Sequence, residues 1–207
     1  MNNEKEQYIR IIDYKSSIKD IDLNEVKAGI KLQLLTYMNE MCKQESAEPA
    51  GAFYYNLIEP MVKASQNMSD EQIEEELRKQ FKMRGLILAD VDIIRKMDKN
   101  LDTGSSNIIP ATINKDETLS KKASNISKQQ FEYLQKYTNK IIKQISEEIL
   151  SGNINIKPYY NTKNKKTPCE YCTYKSICQF GNGICKKEYN YISNLEKEAI
   201  LEMMKEK

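Results

Sequence analysis

Asp13-Tyr14-Lys15 puts a carboxylate and an ammonium two residues apart, at the end of a stretch (residues 7–15) rich in β-branched and aromatic side chains. That composition predicts a strand. Alternate residues of a strand share a face, so Asp13 and Lys15 would project together. Such a pair suits metal-assisted phosphodiester hydrolysis. Asp13 would hold a Mg2+ ion that activates water and offsets phosphate charge, and Lys15 would orient the water or stabilise developing negative charge. An ion pair at a solvated strand end is the plainer alternative.

Gln33 and Tyr37 stand four residues apart, on one face of a predicted helix. Both side chains can hydrogen-bond a phosphate or a catalytic group, and Tyr37 can also lie against a base or sugar. The alternative is a core Tyr37 with its hydroxyl at the rim, beside a surface Gln33.

The densest signal is Cys169-Glu-Tyr-Cys172, followed by Cys178 and then Cys185; four of the five cysteines fall in this segment. Cys-x-x-Cys lets two thiolates reach one metal from a tight turn, and a third follows in a compact loop. Histidine is absent from the chain, so the ligands must be thiolates, with a carboxylate as the only other candidate. All-sulfur coordination suits tetrahedral zinc or an iron–sulfur cluster, and spacing alone does not choose between them. Lys157, Lys163, Lys165, Lys166 and Lys175 surround the segment with only Glu170 in opposition, and Tyr159, Tyr160, Tyr171 and Tyr174 are interleaved. That patch fits either a nucleic-acid contact or a solvated basic loop.

The elements that must position these residues follow from periodicity. After the first strand, Val26, Ile30, Gln33/Leu34, Tyr37 and Met41 predict one helix over 23–44 with that face toward a sheet. Residues 50–58 predict the next strand, ended by Pro60. Strand–helix–strand order implies an α/β layer with a crossover connection. Ser69 to Gln72 forms a capping-box pattern opening a helix to about Phe81. Residues 83–98 are read as helical, and 102–125 as loops flanking a short strand or hairpin. A second capping box, Ser127 to Gln130, opens a helix with Phe131, Leu134, Ile141, Ile145 and Ile149 on one face, ending at Gly152. Residues 153–168 are extended and basic, and a charged helix is expected from about Lys187 to Met204. The division expected is 1–156 for the core and 157–207 for the cysteine segment and terminal helix.

Length and composition exclude less. The 207 residues suffice for one ordinary domain with a core, and a net charge of +2 does not by itself advertise a nucleic-acid partner. No run reaches the roughly 18 apolar residues of a membrane helix, so a cytoplasmic protein without membrane contact is expected. No Gly-x-x-x-x-Gly-Lys-Ser/Thr loop occurs, so this chain lacks the usual means of binding ATP.

Taken together and in order, Ile11-Ile-Asp13-Tyr-Lys15-Ser-Ser, Leu32-Gln33-Leu-Leu-Thr-Tyr37, Glu148-Ile-Leu-Ser-Gly152 and Thr167-Pro-Cys169-Glu-Tyr-Cys172-Thr-Tyr-Lys-Ser-Ile-Cys178-Gln-Phe resemble the B subunits of AddAB-type ATP-dependent helicase–deoxyribonucleases, in the C-terminal part of their nuclease domain. The resemblance implies an α/β, restriction-endonuclease-like (PD-(D/E)XK) nuclease core, incomplete in this chain, with a C-terminal cysteine-cluster extension. It implies a Mg2+-dependent DNA exonuclease working inside a helicase–nuclease that processes double-strand breaks, with DNA and the A subunit as partners. By position, Asp13 is then the metal-binding carboxylate, Lys15 the catalytic lysine, and Gln33 and Tyr37 the accessory motif. Cys169, Cys172 and Cys178 are three ligands of a 4Fe–4S cluster that staples the C-terminus onto the nuclease domain. In the family a fourth cluster cysteine and a further acidic ligand precede the Asp-x-Lys strand; this chain does not supply them, and Cys185 is the available substitute thiol. The expectation is a fragment weakly active or inactive alone. Two other readings stay open: a non-catalytic DNA-binding or scaffold module with structural zinc, and a stand-alone iron–sulfur exonuclease of CRISPR type.

Overall fold

The computed structural model describes residues 6–57, 59, 68–120, 124–180 and 188–205. The chain packs as two compact units, one of residues 1–21 and 31–136 and the other of residues 22–30 and 137–207.

The first unit is built on a four-stranded mixed sheet. Strand β1 (Tyr8–Lys15) runs parallel to β2 (Glu48–Asn56), in the register Asp13 beside Tyr54 and Lys15 beside Asn56. The parallel pairing requires a crossover, as strand–helix–strand order predicts. Nearly every residue of β2 is buried, which its apolar run Ala-Gly-Ala-Phe-Tyr makes possible at the centre of a sheet. The strand begins two residues earlier than expected and ends at Asn56; Ile58 and Pro60 lie outside the described residues.

The crossover corrects the expected single helix over 23–44. Two helices form instead, α1 (Leu23–Lys27) and α2 (Gln33–Gln44). Between them Gly29 and Lys31 adopt left-handed φ angles of 79° and 57°, which a continuing α-helix cannot hold. The buried face of α2 is also rotated from the expected one. Leu34, Leu35, Met38 and Cys42 go inward, whereas Tyr37 and Met41 are exposed.

Residues 70–80 form α3 (Asp70–Gln80), and its Ser69–Gln72 capping box is reciprocal. The helical reading of 83–98 holds only in its second half. Strand β3 (Arg84–Leu88) comes first, antiparallel to β2, and α4 (Val91–Met97) follows behind an Asp90 N-cap. The apolar run Gly-Leu-Ile-Leu is too short for periodicity to separate a strand from a buried helical turn. Gly85, with φ at 141°, lies so close to Ala52 of β2 that a side chain there would collide with its carbonyl.

Strands β4 (Gly104–Ser105) and β5 (Thr112–Ile113) make the hairpin, and β6 (Asn125–Ile126) adds to β3 in parallel. Phe53, Met83, Ile87, Ile94, Leu101, Ile109 and Ile113 close one core cluster over this sheet.

Helix α5 (Lys128–Leu150) opens with the expected capping box, Ser127 N donating to Gln130 Oε1 at 2.9 Å and Gln130 N to Ser127 Oγ at 3.2 Å. Its predicted apolar face is buried only at Phe131 and Leu134; Ile145 and Ile149 are exposed. In the second unit, β7 (Tyr159–Asn161) pairs in parallel with β8 (Asn190–Ile192). Between them lie a 3₁₀ turn (Pro168–Tyr171) and the short α6 (Lys175–Cys178). The terminal helix α7 spans only Lys197–Lys205, because residues 190–192 are drawn into the β pairing; Lys187 lies outside the described residues. Asn24 ties α1 to the segment before α7, exchanging hydrogen bonds with the Leu195 backbone at 3.1 and 3.0 Å.

Candidate active site

Asp13 and Lys15 leave the same face of β1. Lys15 Nζ lies 2.8 Å from Asp13 Oδ2, with the two side chains 30% and 20% exposed. Asp13 Oδ2 is shielded from solvent, yet no donor meets it in hydrogen-bond geometry. Its contact with the Lys15 ammonium is an ion pair. Contact with Asp13 raises the Lys15 pKa above the ordinary lysine value, partly offset by desolvation. Across the register, Lys15 Nζ lies 5.8 Å from the centroid of the Tyr54 ring.

Gln33 Nε2 donates to the Tyr37 hydroxyl at 2.9 Å, so the i, i+4 pair on α2 is made. Tyr37 is 50% exposed, which removes the alternative in which it is a core residue. Helix α2 packs on β1 and β2, and Tyr37 adds a small electrostatic contribution to the raised pKa of Lys15.

The thiols are arranged differently. Cys169 sits in the 3₁₀ turn, Cys172 at its C-cap and Cys178 at the end of α6. All are free, Cys172 exposed and the other two half-buried. Among the described residues no three His, Cys, Asp or Glu side chains converge on a point fit for a metal ion, and Cys185 lies outside them. Cys42 is apart from this segment, buried on α2 beside Met38 with its thiol pKa pushed up by burial. In the basic segment, Lys157 meets Glu188 at 3.7 Å, a counter-charge that lies beyond the local run of sequence. Tyr160 packs with Tyr189 and Tyr191, whereas Tyr171 and Tyr174 are exposed.

A family profile described as the PD-(D/E)XK nuclease superfamily matches residues 2–179. The chain belongs to that superfamily. Its mixed α/β sheet agrees with the restriction-endonuclease-like fold class expected of a PD-(D/E)XK member. The chain is 42% identical over 205 residues to the B subunit of the ATP-dependent helicase/deoxyribonuclease of Thermoanaerobacter sp. (strain X514), covering 97% of this chain and 18% of that protein. It is 38% identical over 210 residues to the corresponding protein of Acetivibrio thermocellus, and 39% over 212 residues to that of Bacillus thuringiensis (strain Al Hakam), covering 99% of this chain and 18% of each relative. The chain thus spans about a fifth of the length of these curated relatives, and it resembles the helicase/deoxyribonuclease B subunits over almost all of its own length.

For a PD-(D/E)XK member the question of a divalent cation arises, and Asp13 fits one coordination position. Carboxylate oxygen is the donor a hard cation takes, and the shielded Oδ2 faces the Lys15 ammonium at 2.8 Å. The remaining positions have no protein ligand gathered among the described residues. For an iron–sulfur group the thiol chemistry fits, but the three thiols do not converge as they stand. Tyr54 is the residue that sequence reasoning passed over. Read along β2 it is one strand residue among several, and only pairing with β1 brings it beside the candidate site. No helix among the described residues is long and apolar enough to cross a membrane.

Proposed function

We propose that this chain is part of a Mg2+-dependent DNA exonuclease domain within an ATP-dependent helicase–nuclease that processes double-strand breaks, acting together with an A subunit. The observation that supports the reading is the Asp13–Lys15 pair on one face of β1, with Lys15 Nζ 2.8 Å from the solvent-shielded Asp13 Oδ2. Residues 1–156 would supply part of the nuclease core and 157–207 the cysteine segment and terminal helix. This division is one of chemistry, and packing groups the residues differently.

In this reading Asp13 holds the metal, which when bound supplies water activation and neutralises phosphate charge. Lys15 is a donor and not a base, because its raised pKa keeps it an ammonium at neutral pH. It orients the attacking water and stabilises charge building on the phosphate oxygens. The Gln33–Tyr37 pair offers a phenol and an amide, joined to each other, that can align Lys15 or a DNA phosphate. Cys169, Cys172 and Cys178 ligate a 4Fe–4S cluster whose remaining ligand lies elsewhere, with Cys185 as the substitute in reach of sequence. The lysines and exposed tyrosines around them face DNA.

Asp13→Ala and Lys15→Ala in the full-length protein should each abolish Mg2+-dependent exonuclease activity while the circular dichroism spectrum stays unchanged. Activity retained in both variants ends the assignment.

A further inference from the structure

In a sheet, residues paired across neighbouring strands project from the same face. The register of β1 and β2 therefore puts the Tyr54 side chain alongside the Asp13–Lys15 pair. Tyr54 is 5% exposed, and β2 is paired on both sides at this point, to Asp13 of β1 and to Arg84 of β3. The ring is accordingly fixed by the sheet itself. Lys15 is the reverse: its ammonium rides on a flexible four-carbon stem, and the ion pair with Asp13 fixes a distance without fixing a direction. The ammonium lies 5.8 Å from the ring centroid, inside the roughly 6 Å at which an aromatic face attracts a cation.

We infer that Tyr54 is a positioning residue for Lys15. Its ring face, not its hydroxyl, restricts the ammonium to the orientation it has beside Asp13. The inference rests on the reading of Lys15 as the catalytic amine. Tyr54 itself touches neither metal nor DNA in this scheme, so its loss should slow turnover and leave DNA affinity alone.

Two measurements test it. In the 207-residue chain carrying 13C-labelled lysine, with the Lys15 signal assigned from Lys15→Arg, the ε-methylene protons should resonate upfield of the other lysines through the Tyr54 ring current. Tyr54→Phe should keep that displacement and Tyr54→Leu should remove it. This arm needs neither metal nor DNA. In the full-length protein, Tyr54→Leu should lower kcat by roughly fivefold or more with the DNA KM within about twofold, and Tyr54→Phe should restore turnover. A Lys15 signal without upfield displacement in the unsubstituted chain overturns the inference, whether or not Tyr54→Leu folds. So does a loss of kcat equal in the Phe and Leu variants, which would implicate the hydroxyl. If Lys15→Ala leaves cleavage intact, the reading of Lys15 has failed and the catalytic inference falls with it, even where the ring-current signal persists.

Discussion

At neutral pH an ammonium held beside a carboxylate can donate hydrogen bonds but has no lone pair to accept a proton, and contact with Asp13 moves Lys15 further in that direction. The sign of the pH dependence follows. A lysine whose pKa is raised on folding stabilises the native state below its unfolded value, and the contribution is lost as pH rises through the folded value. We expect the thermal stability of the native chain to exceed that of Lys15→Met by a constant margin from about pH 6 to about pH 9, closing only above the ordinary lysine value of about 10.4. A margin that vanishes near neutrality would show that the pair is not formed in solution. Asp-x-Lys was legible in sequence because period-two alternation on a strand places i and i+2 together. Tyr54 was not, because nothing local to β2 states which residue of β1 it will face.

Helices here differ in what anchors them, and that governs what their caps contribute. Helix α3 has a complete capping box and i, i+4 pairs between Glu74 and Arg78 and between Glu75 and Lys79, but no buried residue. Helix α5 has the same box and buries Phe131 and Leu134 just behind it. Ser127→Ala should therefore lower the global unfolding free energy by about 1 kcal/mol, read by urea denaturation. Ser69→Ala should leave global stability within about 0.5 kcal/mol and instead speed amide exchange in α3. Equal global losses in the two would contradict this reading of α3 as locally held. Both boxes were plain in the sequence, since a cap is a contact over three residues. The rotation of α2 was less plain. Periodicity through Tyr37 and Met41 competes with periodicity through Leu34, Met38 and Cys42, and packing on the sheet chose the second, leaving Gln33 and Tyr37 outward where they can meet a substrate.

For the molecule as a whole, the two chemistries lie in different compact units: Asp13, Lys15, Gln33 and Tyr37 in the first, and the three described cysteines of the cluster in the second. Because no group of three ligand-type side chains converges among the described residues, we expect the purified 207-residue chain to digest linear DNA with Mg2+ far more slowly than the full-length protein. Comparable rates would mean that the ligand set is complete within these residues. Anaerobic purification of the full-length protein should yield a brown protein with iron and sulfide bound, and substituting Cys169, Cys172 or Cys178 should remove the colour. A colourless protein with stoichiometric zinc would favour the scaffold reading and exclude the cluster.

By itself the sequence determined the chemistry available to this protein: a carboxylate–lysine pair at strand spacing, an amide and a phenol at helical spacing, thiols without any histidine, and two capped helices. These are short-range facts, set by residue type and by the two backbone periods. Only the tertiary structure decided which helix face turned inward, that residues 84–88 became a strand, that the helix expected over 23–44 broke in two, and that Tyr54 stands beside Asp13. Those outcomes depend on pairing and burial between segments far apart in the chain, where short apolar runs suit strand and helix alike and the sheet supplies the deciding neighbours.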